Sequence, residues 1–157
     1  MKFKLPIVLI FVCIMFTVNK IHAQSAQNND IENLFAKIEV LHGKKNYYSV
    51  IELVNGNIEI IKKANKDWQE VINSYKYNSQ YEIHNIAYNY YQKRDYIEAR
   101  KMLAPIITEI KDSISLNVCN KDCCIPWSSC LWLYGKINQG LGNTNEALSL
   151  LNEYHEY

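Results

Sequence analysis

The sequence predicts an all-α protein of antiparallel helix–turn–helix repeats, with about seven helices following an N-terminal export segment. Three observations carry this prediction. Three stretches align position by position: Leu34, Ile38, Leu41, Asn46-Tyr47, Val50 and Val54; then Ile83, Ala87, Tyr90, Asp95-Tyr96, Ala99 and Leu103; then Leu131, Gly135, Asn138, Asn143-Thr144, Ala147 and Leu151. Within each stretch apolar residues recur every three or four positions, which places them on one helix face. Between the two halves of each stretch stand residues suited to stopping one helix and capping the next. Stacked repeats bury their cores against their neighbours, so the repetition itself indicates the architecture.

The first 23 residues read as a secretory signal peptide. Lys2 and Lys4 precede an apolar run from Leu5 to Val18, and His22-Ala23-Gln24 offers a cleavage region. The run is shorter than the ~20 residues that a membrane-spanning helix needs, which favours cleavage over anchoring. Phe11-Val12 before Cys13 are too large for a lipoprotein processing site. Cleavage after Ala23 removes Lys2, Lys4 and Lys20 but no acid, taking the formal charge from +1 to below zero. The exported chain then lacks the basic surplus that nucleic-acid binding requires. It also has no second long apolar segment, so stable membrane insertion after cleavage is not expected.

Residues 24–29 are small and polar and read as a flexible leader to a repeat domain spanning 30–157. Ile31, Leu34, Phe35, Ile38 and Leu41 form the stripe of the first helix. Gly43 suits a left-handed position past its end, and Asn46 suits an N-cap. Residues 47–63 admit two readings. Asn55-Gly56 between β-branched runs is a hairpin signal. Tyr47, Val50, Ile51, Val54, Ile58 and Ile61 form a helical stripe that the repeat register requires, kinked near Gly56. A hairpin would also set Glu52 opposite Glu59, whereas a glycine inside a helix costs only about 1 kcal/mol.

Asp67 with Glu70, Ser79 with Glu82, and Asp95 with Glu98 have capping-box spacing. They predict one helix over Asp67–Tyr77, a second from Ser79, and a third from Asp95 in which Pro105 bends or ends the regular ladder. Ser113 to Ile125 reads as a loop, and Pro126 as the first residue of the following helix. Leu141-Gly142-Asn143 is a tight turn before the final helix.

The matched positions resemble the tetratricopeptide repeat. Ala87 with Ala99 and Gly135 with Ala147 stand where that family places small residues at a close helix crossing, and Lys93-Arg94-Asp95-Tyr96 and Leu141-Gly142-Asn143-Thr144 stand at its interhelical turn. Three departures are evident. Ile38 and Val50 put bulk where the first unit should be small. Leu34, Ile83 and Leu131 replace the large aromatic common early in the first helix. The matched positions lie 49 and then 48 residues apart, against a usual ~34. The resemblance implies a tetratricopeptide-like α-solenoid whose first helices line a concave groove. Counting from each crossing residue, it assigns Phe35, Glu39 and His42 to that groove, then His84, Tyr88 and Tyr91, then Trp132, Lys136 and Gln139. Aromatic anchors among a few polar groups suit a protein or peptide partner. The competing expectation is that the inserted residues cover this face.

Cys119, Cys123, Cys124 and Cys130 crowd one stretch. Export favours one or two disulfides among them, ahead of buried free thiols. A zinc site ranks last, because the spacing lacks paired C-x2-C knuckles. A bridge between the adjacent Cys123 and Cys124 is disfavoured by strain. No H-E-x-x-H, nucleophile elbow or phosphate-binding glycine loop is present, and Gly140 and Gly142 read as helix-end glycines. The paired carboxylates among Glu32, Glu39, Glu52 and Glu59 fall on polar faces. The expectation is therefore an exported binding scaffold with no catalysis and no cofactor. Two alternatives are the front end of a larger sensor or effector, and a disulfide- or metal-dependent protein built on the Cys119–Cys130 cluster.

Overall fold

A computed structural model describes residues 29–115 and 127–155. The proposed signal peptide and most of the leader, Cys119, Cys123, Cys124 and Pro126 lie outside the described residues. Among the described residues there are seven helices and no strand: α1 (29–43), α2 (Tyr47–Gly56), α3 (Ile58–Lys63), α4 (Lys66–Gln92), α5 (Tyr96–Ser115), α6 (Trp127–Gly140) and α7 (Thr144–His155). The all-α class and the number of helices match the expectation, but the chain divides them differently.

Residues 47–63 are helical, interrupted at Asn57 immediately after Gly56. There the Asn57 side chain donates to the Leu53 carbonyl at 2.8 Å, satisfying an acceptor that the interruption leaves open. The two helices expected over 67–92 are one helix of 27 residues. Its N-cap is Asn65, whose side chain accepts from the Trp68 amide at 2.9 Å, so Asp67 falls in the first turn. Ser79 caps nothing. It is fully buried, and its hydroxyl donates to the Tyr75 carbonyl one turn back at 2.7 Å, which lets the helix run on. Asp95 does cap α5, accepting from the Glu98 amide at 3.3 Å. Pro105 does not end α5, which continues to Ser115 into the expected loop. Lys101 and Pro105 are both exposed, so water can satisfy the carbonyl that the missing N–H leaves open.

The three turns at the matched positions of the repeat are the same turn, bond for bond. The amides of Asn46, Asp95 and Asn143 donate to the carbonyls of Leu41, Tyr90 and Asn138 at 3.0, 3.0 and 2.9 Å. The residues just before them, Lys45, Arg94 and Gly142, take positive φ of 57°, 62° and 81° and donate to His42, Tyr91 and Gln139. This is a Schellman ending whose last residue is also the N-cap of the next helix. The left-handed residue must therefore directly precede that cap. That requirement selects Lys45 rather than Gly43, which ends α1. Asn46 occupies the N-cap position without a side-chain cap bond.

α4 packs on α2, α3 and α5, α5 on α6, and α6 on α7. Tyr48 on α2 donates to the Met102 carbonyl on α5, and two turns further on Asn55 reaches Glu109 at 3.3 Å. Both pairs are 54 residues apart, so α2 and α5 run in the same direction. The turns that precede them therefore lie at the same edge. One apolar cluster joins Ile31, Leu34 and Ile38 of α1 to Val50, Val54, Ile61 and Ile72. A second joins Ile83 and Ala87 of α4 to Ala99, Leu103, Leu131, Ile137 and Leu150. Each of their fully buried Ile or Leu side chains contributes ~1.5–3 kcal/mol.

Glycine sets two close approaches. A Cβ at Gly135 would lie 2.9 Å from the Leu151 side chain, and one at Gly140 would lie 2.7 Å from the Tyr96 ring. Gly140 is thus the last residue of α6 and a packing glycine as well, and Gly142 takes the left-handed position just past it. Gly135→Val should destabilise the chain by about 2–3 kcal/mol, read from the urea midpoint. Adding Leu151→Ala should recover part of that loss. A Gly135→Val chain as stable as the parent would contradict the close α6–α7 crossing.

Candidate functional site

The predicted groove residues divide into a closed part and an open part. The N-terminal half of α4 covers those of the first unit. Phe35 packs on Trp68 and Tyr75 with ring centroids 5.1 and 5.7 Å apart, and His42 meets Tyr75 at 5.1 Å. Glu39 accepts from the Tyr75 hydroxyl at 3.4 Å. The residues that lengthen the repeat thus pack over Phe35 and His42, while Glu39 stays exposed beside them.

The second and third units come together differently. Tyr91 on α4 sits at the centre of a ring cluster, 6.2 Å from Tyr88, 5.9 Å from Tyr96 and 6.3 Å from Trp132 on α6. Tyr88 is 38% exposed, a large value for a tyrosine joined to the others by ring contact. Tyr91 and Trp132 are half-buried. Lys136 donates to Gln139 at 3.3 Å, a contact along α6 rather than across to α4. Tyr88, Tyr91 and Trp132 therefore form one surface between two helices, with His84 one turn before Tyr88 on α4 and Lys136 and Gln139 further along α6.

His84 is half-buried on α4. Burial lowers its pKa from the ordinary 6.5, and hydrogen bonding to Asn85 and to the Ser129 backbone opposes that shift. Above pH 6.5 the imidazole is neutral in folded and unfolded chains alike. Below it, the unfolded chain takes up a proton that the folded chain resists, so stability is lost as the pH falls through the lowered value.

Two groups of residues escaped the sequence reading. Tyr96 completes the ring cluster. Its signal was available, because it aligns with Tyr47 just past a turn. The other group is a polar junction of three helices. Lys76 pairs with Glu109 and donates to Asn55 Oδ1 at 2.8 Å, while Gln80 donates to Glu109. Lys76 and Gln80 are buried. They share the buried side of α4 with Ile72, Ile83 and Ala87, and a polar residue within that stripe was the available signal.

Cys130, one of the four disulfide candidates, is a free thiol. It sits fully buried in the second apolar cluster, and burial pushes its pKa up to about 12. The apolar side of α6 takes this sulfur inward, and the other three candidates lie outside the described residues. Among the described residues no three His, Cys, Asp or Glu side chains gather as a metal set, and no helix is long and apolar enough to cross a membrane. Glu32, Glu39, Glu52 and Glu59 are exposed.

No protein-family model, curated protein or solved structure matches the chain.

The urea midpoint should fall between pH 7.5 and 5, and His84→Gln should flatten that slope; an unchanged slope would remove His84 as its source. Alkylation of the native chain followed by peptide mapping should leave Cys130 unlabelled. Labelling at the rate of an unfolded control would contradict its burial.

Proposed function

We propose that this chain is an exported, tetratricopeptide-like scaffold that holds an extended polypeptide segment against α4 and α6, without chemistry of its own. The repeated turn, the small crossing residues Ala87, Ala99, Gly135 and Ala147, and the packing of successive helices support the family reading. The N-terminal pattern of Lys2, Lys4 and the Leu5–Val18 run supports export.

The observation that carries the binding reading is the Tyr88–Tyr91–Trp132 contact between two helices, with Tyr88 left open to solvent. Tyrosine and tryptophan offer large rigid contact area at little cost in side-chain entropy. The helices fix the rings before a partner arrives, so less ordering remains to oppose association. The covered first unit confines the surface to the second and third units.

A random-peptide display library selected on the full chain tests this reading. Selected peptides should bind Tyr88→Ala/Trp132→Ala roughly 30-fold or more weakly, about 2 kcal/mol, while its far-ultraviolet circular dichroism stays unchanged. Equal binding by the double variant would remove this surface as the site.

A further inference from the structure

We propose that the edge carrying the first two turns is a basic docking strip for an acidic peptide segment, which continues from the aromatic surface between α4 and α6. The inference rests on the peptide-binding reading above and adds the charge of the partner.

Lys44-Lys45 and Lys93-Arg94 occupy equivalent positions in consecutive turns, and all four side chains are exposed. The parallel course of α2 and α5 places both turns at one edge. None of the four has an acidic partner among the described residues. The ion pairs there engage Lys62, Lys66, Lys76, Arg100 and Lys101 instead. Nearby, Asp95 is committed to capping α5, and Glu98 is paired with Lys101.

The backbone adds a second, independent observation. Lys45 and Arg94 hold positive φ of 57° and 62°, a conformation in which glycine is the unstrained choice. The third turn uses Gly142 for the same role. A cation near a helix C-terminus gains something from the helix dipole, but Lys44 and Lys93 already supply one at each of these ends. Side chains kept at strained positions, where the same turn also forms with glycine, point to a use for the charges themselves.

The strip begins where the aromatic surface ends. Tyr88 and Tyr91 lie in the last turns of α4, directly before Lys93 and Arg94, and Lys136 adds a cation on α6. A partner that meets both features is a peptide with glutamate or aspartate beside an aromatic or apolar anchor. The carboxylates would meet the basic turns and the anchor would meet the rings, with electrostatics contributing specificity and rate of encounter.

Two fluorescent peptides test this on the full chain by anisotropy: one of alternating glutamate and tyrosine, and one with glutamine in place of glutamate. The glutamate peptide should bind more tightly, and its affinity should fall with added salt. Lys45→Gly/Arg94→Gly should bind it roughly five- to tenfold more weakly, while melting at a higher temperature because the backbone strain is gone. Unchanged binding by this variant, or equal binding of the two peptides by the parent chain, would overturn the basic strip. Equal binding that is lost in Tyr88→Ala/Trp132→Ala would leave the aromatic surface standing. Failure to bind either peptide would overturn both.

Discussion

The structure depends on α4 remaining one helix. Its N-terminal half supplies Ile72 to the cluster built on α1, α2 and α3, and its C-terminal half supplies Ile83 and Ala87 to the cluster shared with α5, α6 and α7. The two clusters meet at the junction of Asn55, Lys76, Gln80 and Glu109, where three helices exchange polar contacts. A buried ion pair adds little net stability over well-packed apolar groups, but loss of one partner is costly. Its effect here is to fix how α2, α4 and α5 sit on one another. The same continuity brings Trp68 and Tyr75 onto Phe35 and His42 while leaving Tyr88 exposed at the other end. One helix therefore closes the first part of the face and displays the second.

Much of this was legible in the residues. The three aligned stretches marked the turns that the backbone repeats bond for bond, because a fixed turn geometry leaves a fixed spacing between the last carbonyls of one helix and the cap of the next. Gly135 marked a close crossing, because the space beside it is filled by Leu151 of the neighbouring helix, and Ala87 and Ala99 are buried in the second apolar cluster. The same register assigned Tyr91 and Trp132 to one face, where their rings meet.

Other features were hidden for physical reasons. Capping-box spacing at Ser79 and Glu82 was a local signal, and tertiary burial overrode it by turning the hydroxyl back onto Tyr75. Propensity favours Gly43 for the left-handed position, but the requirements of the turn place it on Lys45. Tyr75 gave no sequence sign of reaching Phe35, Glu39 and His42, since that contact depends on how far α4 extends. Cys130 could be grouped with its neighbours by spacing alone, yet its place in the buried stripe of α6 buries the thiol and raises its pKa.

Native-state hydrogen exchange along α4 tests the shared-helix account most directly. Amides around Ile72 and around Ile83 should open with one common free energy, close to that of global unfolding, because neither cluster can lose this helix alone. A clearly lower opening free energy for the N-terminal half, with the C-terminal half still protected, would contradict it.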